Sequence, residues 1–266
     1  MSDLCPICGG SGLRMTERPD GVRAVAECAC RAVERRMRRL SAARIPERHR
    51  ECTLENFSTK SGGVNRSLAE ARLKATGFVR AYPAETFGNG LLFVGPCGVG
   101  KTHLAVGILH ALIAERGVQG RFVDCKELLK EIQNSYSANN EKTERQVLRP
   151  ALEAEVLVLD ELGAARRTDW VSDMIEHLLN MRYNDRKTTI ITTNLPYASA
   201  GVPGGGAKDA MRTETLGDRI GERMLSRLSE MCLVVEMDGP DYRKGLAGRA
   251  TFAPSAEGRF RRTVPE

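Results

Sequence analysis

Five short apolar runs recur along the second two-thirds of the chain. They are "GLLFVG" (90–95), "GRFVDC" (120–125), "VLVLD" (156–160), "TTIITT" (188–193) and "CLVVEM" (232–237). Continuous hydrophobic runs of this length, bounded by glycine or polar residues, predict buried strands. The stretches between them carry apolar residues at helical spacing. They predict helices over 102–117, 126–136, 169–185 and 214–230, with a short helix after the polar stretch 137–145. Gly117 stops the first of these. Strands alternating with helices predict an α/β fold, a parallel sheet with helices on both faces.

Upstream of residue 90 the pattern changes. Residues 67–82 fit a helix with Leu68, Ala71, Ala75, Phe78 and Val79 on one side. Residues 45–66 read as a linker and lead-in, with Pro46 as a helix breaker and Gly62-Gly63 as a turn. Residues 31–44, "RAVERRMRRLSAAR", place Val33, Met37 and Leu40 at helical spacing among Arg31, Arg35, Arg36, Arg38, Arg39 and Arg44. This basic amphipathic helix suits either a solvated connector or a phosphate-contacting surface. Residues 1–30 are rich in Cys and Gly and short of large apolar groups, so they need a metal rather than a core to hold a shape. The glycine-rich stretch 199–209 reads as a flexible loop, and the polar residues after Pro254 as a frayed tail. The expected division is 1–44, 45–66, 67–253 and an unstructured 254–266.

Composition adds constraints. The 266 residues are 41% hydrophobic, enough for one sizeable domain plus a small appendage. The formal net charge of +6 favours anionic partners such as nucleic acid or phosphates. No apolar run reaches the roughly 18 residues of a membrane span, and the N-terminus lacks an apolar signal core, so the cytoplasm is the expected location and no membrane partner is expected. Eight cysteines in such a chain argue against a disulfide framework. Cys52, Cys97, Cys125 and Cys232 are scattered and suit small core or loop positions.

The stretch "GPCGVGKT" (95–102) has the spacing G-x-x-x-x-G-K-[ST], and it follows a predicted strand and opens a predicted helix. Gly95, Pro96, Cys97, Gly98, Val99 and Gly100 supply a loop whose backbone N–H groups wrap phosphates, next to helix N-terminal donors. Lys101 then neutralises β/γ-phosphate charge, Thr102 binds Mg²⁺, and His103 follows in the candidate nucleotide-binding stretch. "VLVLDE" (156–161) ends four apolar residues with two acids at the C-terminal edge of a strand, where α/β ligand sites lie. Asp160 suits the Mg²⁺ shell. Glu161 suits a water-polarising carboxylate, which favours nucleotide hydrolysis. Asn194 follows the strand 188–193 and suits either a γ-phosphate contact or an ordinary turn residue. Arg223 and Arg227 lie one helical turn apart and suit either an arginine finger for a neighbouring subunit or a solvated helix face.

With these residues in order, the chain resembles the AAA+ ATPases, and more narrowly the DnaC/DnaI-like helicase loaders and the related IstB transposition ATPases. "GPCGVGKTHLA" (95–105), "VLVLDELG" (156–163), "MRYNDRKTTIITTNL" (181–195) and "IGERMLSRL" (220–228) carry the resemblance, with support from "IPERHRECTLENF" (45–57) and "DYRKGLAG" (241–248). It covers roughly residues 45–248. It implies Lys101 and Thr102 as phosphate and Mg²⁺ residues, Asp160 and Glu161 as metal and water-activating acids, and Asn194 as a sensor. It also implies Arg227 as the arginine finger beside Arg223, and Arg243 as a second sensor. ATP sandwiched between self-associating subunits, binding of single-stranded DNA and delivery of a hexameric replicative helicase follow by the same resemblance. Too few residues follow Asp238 for a separate helical lid, a truncation these loaders share, and the 199–209 loop is longer than the family's usual connection.

Cys5-x₂-Cys8 and Cys28-x-Cys30 offer four thiolates in two close pairs, which is what a tetrahedral, closed, structural Zn²⁺ site takes. Cys30 also suits the start of the basic helix, where the dipole favours a thiolate. "CPICGGSG" matches one C-x-x-C-x-G-x-G unit of the DnaJ-type zinc modules, and a zinc-bearing N-terminus on this core resembles the DnaI-type loader, whose N-terminal domain docks the helicase. The expectation is an ATP-hydrolysing helicase loader with ATP, Mg²⁺ and structural Zn²⁺. An IstB-like helper that remodels DNA for a transposase, and an ATP-switched adaptor with little turnover, stand as alternatives.

Overall fold

The five apolar runs form one parallel sheet in the computed structural model, which describes residues 5–17, 21–59, 65–137, 142–200, 214–247, 251–254 and 260–263. In chain order the elements begin with β1 (Leu13–Glu17), β2 (Arg23–Glu27), α1 (Ala29–Ala42) and α2 (Arg66–Ala81). The sheet and its crossovers follow: β3 (Gly90–Val94), α3 (Lys101–Arg116), β4 (Gly120–Asp124), α4 (Cys125–Ser135), α5 (Glu144–Glu153), β5 (Val156–Asp160), α6 (Asp169–Asn184) and β6 (Thr188–Thr193). Then come α7 (Leu216–Ile220), α8 (Glu222–Met231), β7 (Cys232–Glu236), α9 (Tyr242–Ala247), β8 (Thr251–Pro254) and β9 (Phe260–Thr263).

Strand order in the main sheet is β4-β5-β6-β3-β7, with every pairing parallel. Every residue of β3, β5 and β6 is buried; β3 and β5 accordingly read as nearly continuous apolar runs, while β6 buries four threonines around Ile190 and Ile191. Successive side chains alternate between the faces. Leu91, Phe93, Val156, Val158 and Ile190 pack with α2 and α3, whereas Leu92, Leu157, Leu159 and Ile191 pack with α4, α5, α6 and α8. From β3 the chain crosses to the far edge at β4 and steps back through β5 and β6. β3 is thereby a switch point, and the ends of β3, β5 and β6 lie side by side at the carboxyl edge.

Several expectations need correction. The stretch 214–230 is two helices, because Gly221 leaves helical geometry at φ 85°, ψ 153°. Thr215 caps α7 reciprocally with Asp218. Residues 45–57 are no linker. Leu54 and Phe57 are buried in the core, and Leu54 and Thr53 lie so close to Gly107 of α3 that a Cβ there would sit 3.0 Å from their backbone. The α1 stripe reaches the core only at its end, and no α1 residue is fully buried. Leu40 packs on the core while Val33 and Met37 stay 60% and 61% exposed. The chain after α1 covers the β4 edge, with Phe122 N donating to Ala43 O at 2.8 Å.

The Cys-rich segment holds an antiparallel ribbon, β1 with β2, that its sequence does not announce. The tail expected to fray carries β9, which pairs antiparallel with β8 just ahead of it. β-branched and aromatic residues at Thr251, Phe252, Phe260 and Thr263 favour extended backbone there. The Gly62-Gly63 turn and residues 201–209 of the glycine-rich loop lie outside the described residues. No helix among the described residues is long and apolar enough to cross a membrane.

Candidate nucleotide site and cysteine cluster

The loop after β3 turns on two left-handed glycines, Gly98 at φ 79° and Gly100 at φ 105°. Both are also sterically required. A Cβ on Gly98 would meet Asp241 Oδ1 at 1.7 Å, and one on Gly100 would meet the Phe57 ring at 2.6 Å. Gly100 ends the loop at the N-terminus of α3, so unpaired helix N–H groups face the same space.

That space is a cavity of about 420 Å³, a size that suits a nucleotide. Cys97, Gly98, Val99, Gly100, Lys101, Thr102 and His103 line it, with Glu161, Asn194 and Arg243. Gly95 and Pro96 stand outside the lining and meet Lys101 through their carbonyls, each accepting from Nζ at 2.7 Å. Burial lowers the Lys101 pKa, opposed by the nearby Cys97, Asp160 and Glu161.

The acid pair sits at the end of β5 and is held from the adjacent β6. Asp160 is 1% exposed, and its Oδ1 accepts from Thr102 Oγ1 at 2.8 Å and from Thr192 Oγ1 at 2.6 Å. Burial raises the Asp160 carboxyl above its usual range, while the two hydroxyls pull it down. A cation here offsets that burial cost, and a threonine hydroxyl beside a carboxylate is a hard-oxygen donor set of the kind Mg²⁺ takes. Glu161 has φ 58°, left-handed for a residue with a side chain. Glu161 belongs to the cavity lining.

His103 anchors the lead-in segment. Its Nε2 lies 2.9 Å from Thr53 O and 2.8 Å from Asn56 Oδ1, and its ring packs edge-on against Phe57. Both partners are acceptors, so Nε2 carries the proton. The segment brings Arg48, His49, Cys52, Asn56 and Phe57 into the cavity wall, and Tyr242 joins from α9. Motif spacing does not flag these residues, although they fall within "IPERHRECTLENF" and "DYRKGLAG". Burial foremost, then Arg48, His103 and Arg243, holds His49 down to about 4. Arg243 is paired with Asp241 at 3.2 Å.

Arg227 is not brought to this cavity. It reaches Asn180 Oδ1 of α6 and lies 3.5 Å from Glu176, the same carboxylate that meets Arg223 at 3.5 Å.

The sulfurs of Cys5, Cys8, Cys28 and Cys30 lie within 4.8 Å of one another. Cys5 and Cys28 are 3.9 Å apart and Cys8 and Cys30 3.4 Å. A tetrahedral zinc with bonds of about 2.3 Å needs sulfur separations of ~3.8 Å, so the residues fit that ion. The ribbon makes the geometry: Cys28 N donates to Gly12 O at 2.9 Å as β2 ends. Helix α1 begins at Ala29, two residues ahead of the expected 31–44, so Cys28 is its N-cap. The thiolate is favoured at Cys8, held down to about 6 chiefly by the Gly12 N–H at 3.3 Å. Without a metal, the hydrogen bonds with Cys8 and Cys28 push Cys30 up to about 12.

The switch-point loop, the acid pair and the strand order define a P-loop nucleotide-binding protein of the AAA+ class. Within that class, the model of the IstB-like ATP binding protein family matches residues 22–250, and the chain belongs to this family. It is 25% identical over 203 residues to the replicative helicase loader DnaC of Escherichia coli K12, covering 76% of this chain and 73% of that one. It is 28% identical over 154 residues to the insertion sequence IS232 putative ATP-binding protein of Bacillus thuringiensis subsp. berliner, covering 58% and 55%. A crystal structure of the DnaC helicase loader superposes with a TM-score of 0.59 at 32% identity, over 73% of this chain and 100% of that one.

Proposed function

We propose that this chain is an ATP-dependent loader of a replicative DNA helicase. It binds ATP with Mg²⁺, binds single-stranded DNA, and hydrolyses ATP during helicase delivery and release, in the cytoplasm. The observation that carries this reading is the tetrathiolate module placed ahead of a DnaC-like ATP site.

At the nucleotide site the Mg²⁺ supplies positive charge against the phosphates. Lys101 neutralises the β/γ-phosphates, and Thr102 and Asp160 hold the cation. Glu161 orients and polarises the attacking water, and Asn194 fixes the γ-phosphate or that water. Arg243 stands at the cavity as a second sensor. Arg227 lies away from its own cavity, which suits a finger given to the next subunit in a self-associated ring. Zinc held by Cys5, Cys8, Cys28 and Cys30 keeps a segment without a core in shape, so that it grips the helicase.

The test is capture of the cognate hexameric helicase by the full chain and by Cys28→Ser. Metal analysis should give about one zinc per chain, and Cys28→Ser should lose zinc and helicase together while still binding ATP. Equal capture by both forms refutes the docking role. The insertion-sequence relative favours a second reading, a transposition helper. Capture of a transposase in place of the helicase establishes that reading.

A further inference from the structure

Thr192 belongs to neither the phosphate loop nor the acid pair. It is 1% exposed, yet it contributes to the wall of the nucleotide cavity. Strand register sets its place. Leu159 of β5 pairs with Ile191 of β6, so the next step puts Thr192 opposite Asp160.

Its Oγ1 donates to Asp160 Oδ1 at 2.6 Å and accepts the backbone N–H of Glu161 at 2.9 Å. A hydroxyl has one proton. That proton goes to the carboxylate, which leaves a lone pair for the amide. One atom therefore holds both acids, Asp160 by its side chain and Glu161 by its backbone. The neighbouring bonds reinforce this: Leu162 N donates to Thr192 O at 2.8 Å, and Thr193 Oγ1 donates to Leu162 O at 2.8 Å. The left-handed φ of 58° at Glu161 is thus pinned from the adjacent strand.

We propose that Thr192 is a positioning residue for the acid pair, its hydroxyl fixing the Asp160 carboxylate for the cation and the Glu161 backbone for the attacking water. The inference rests on the ATP-hydrolase reading of the same site. Groups that orient metal ligands from behind typically matter about 10–100-fold in metal affinity or rate.

Thr192→Val keeps the shape and the β-branch but loses the hydroxyl, and Thr192→Ser keeps the hydroxyl. Two quantities are measured on the full chain: steady-state ATP turnover, and affinity for a fluorescent ATP analogue titrated with Mg²⁺. Thr192→Val should lower kcat about 10–100-fold with KM changed less than about threefold, and raise the half-saturating Mg²⁺ about tenfold. Analogue affinity in EDTA should stay at the parental value, and Thr192→Ser should restore both quantities. Parental kcat and parental Mg²⁺ dependence in Thr192→Val overturn the proposal. Equal losses in both variants overturn it too, because they assign the residue to packing. A parent that binds the magnesium nucleotide without turnover refutes the hydrolase reading alone, and the Mg²⁺ titration still decides Thr192.

Discussion

Glu161 occupies a backbone conformation that costs a non-glycine residue about 1–3 kcal/mol. Bonds from β6 hold it there, and it lines the same cavity as Lys101. The two residues should therefore separate binding from chemistry. Lys101→Ala removes the cation that the proposed site sets against the phosphates, and nucleotide binding should fall at least about 100-fold, a loss near 3 kcal/mol for a charge-assisted contact. Glu161→Gln keeps the shape and the backbone but loses the base, so ATP affinity should be parental and turnover should drop roughly 10²–10⁴-fold. Equilibrium binding and phosphate release on both variants decide this. Normal turnover in Glu161→Gln contradicts the assigned role.

At the scale of elements, Arg182 ties α6 to the sheet and to α5. It is fully buried, and its guanidinium donates to the carbonyls of Ala151, Ala154 and Thr188 and to Thr189 Oγ1. Burial pulls its pKa down to about 10, so it stays charged at neutral pH. Arg182→Met strands those carbonyls and should cost about 3 kcal/mol, lowering Tm by roughly 6–12 °C in calorimetry. The contact between residues 46–57 and α3 should depend on pH. Burial holds His49, His103 and His110 below their ordinary values, His49 to about 4. The unfolded chain takes up these protons near pH 6.5 and the folded chain only at lower pH, so stability is present above that pH and is lost as pH falls through this window. Tm should drop from pH 7 to pH 5, and a His49→Gln, His110→Gln double variant should flatten the drop. A parent with no drop contradicts the assignment. The buried strands and the phosphate loop were legible because continuous apolar runs and fixed glycine spacing are local signals. Thr192 was not, because its role depends on the register of β5 against β6. The β1–β2 ribbon was hidden because clustered thiols, rather than a core, fix it, and its apolar residues Leu13, Met15 and Val25 remain exposed. The lead-in segment looked polar because only Leu54 and Phe57 are fully buried, with Ile45 and Cys52 packed at the margin of the core.

At the scale of the whole molecule, the ATP site is one half of a shared interface if Arg227 serves the neighbouring subunit. Lys101→Ala and Arg227→Ala should each lack turnover. Mixed together they should regain part of it, because a hybrid interface pairs an intact Lys101 with an intact Arg227; no recovery on mixing places the arginine outside the reaction. The α1 helix joins the thiolate module to the edge of the sheet through Leu40 and the Ala43–Phe122 bond. The most direct test is delivery of the cognate hexameric helicase onto closed circular single-stranded DNA, read as helicase retained on the circle. With the parental chain and ATP the helicase should load, and with Lys101→Ala it should not. Loading that is equal without the chain, or unchanged by Lys101→Ala, contradicts the account.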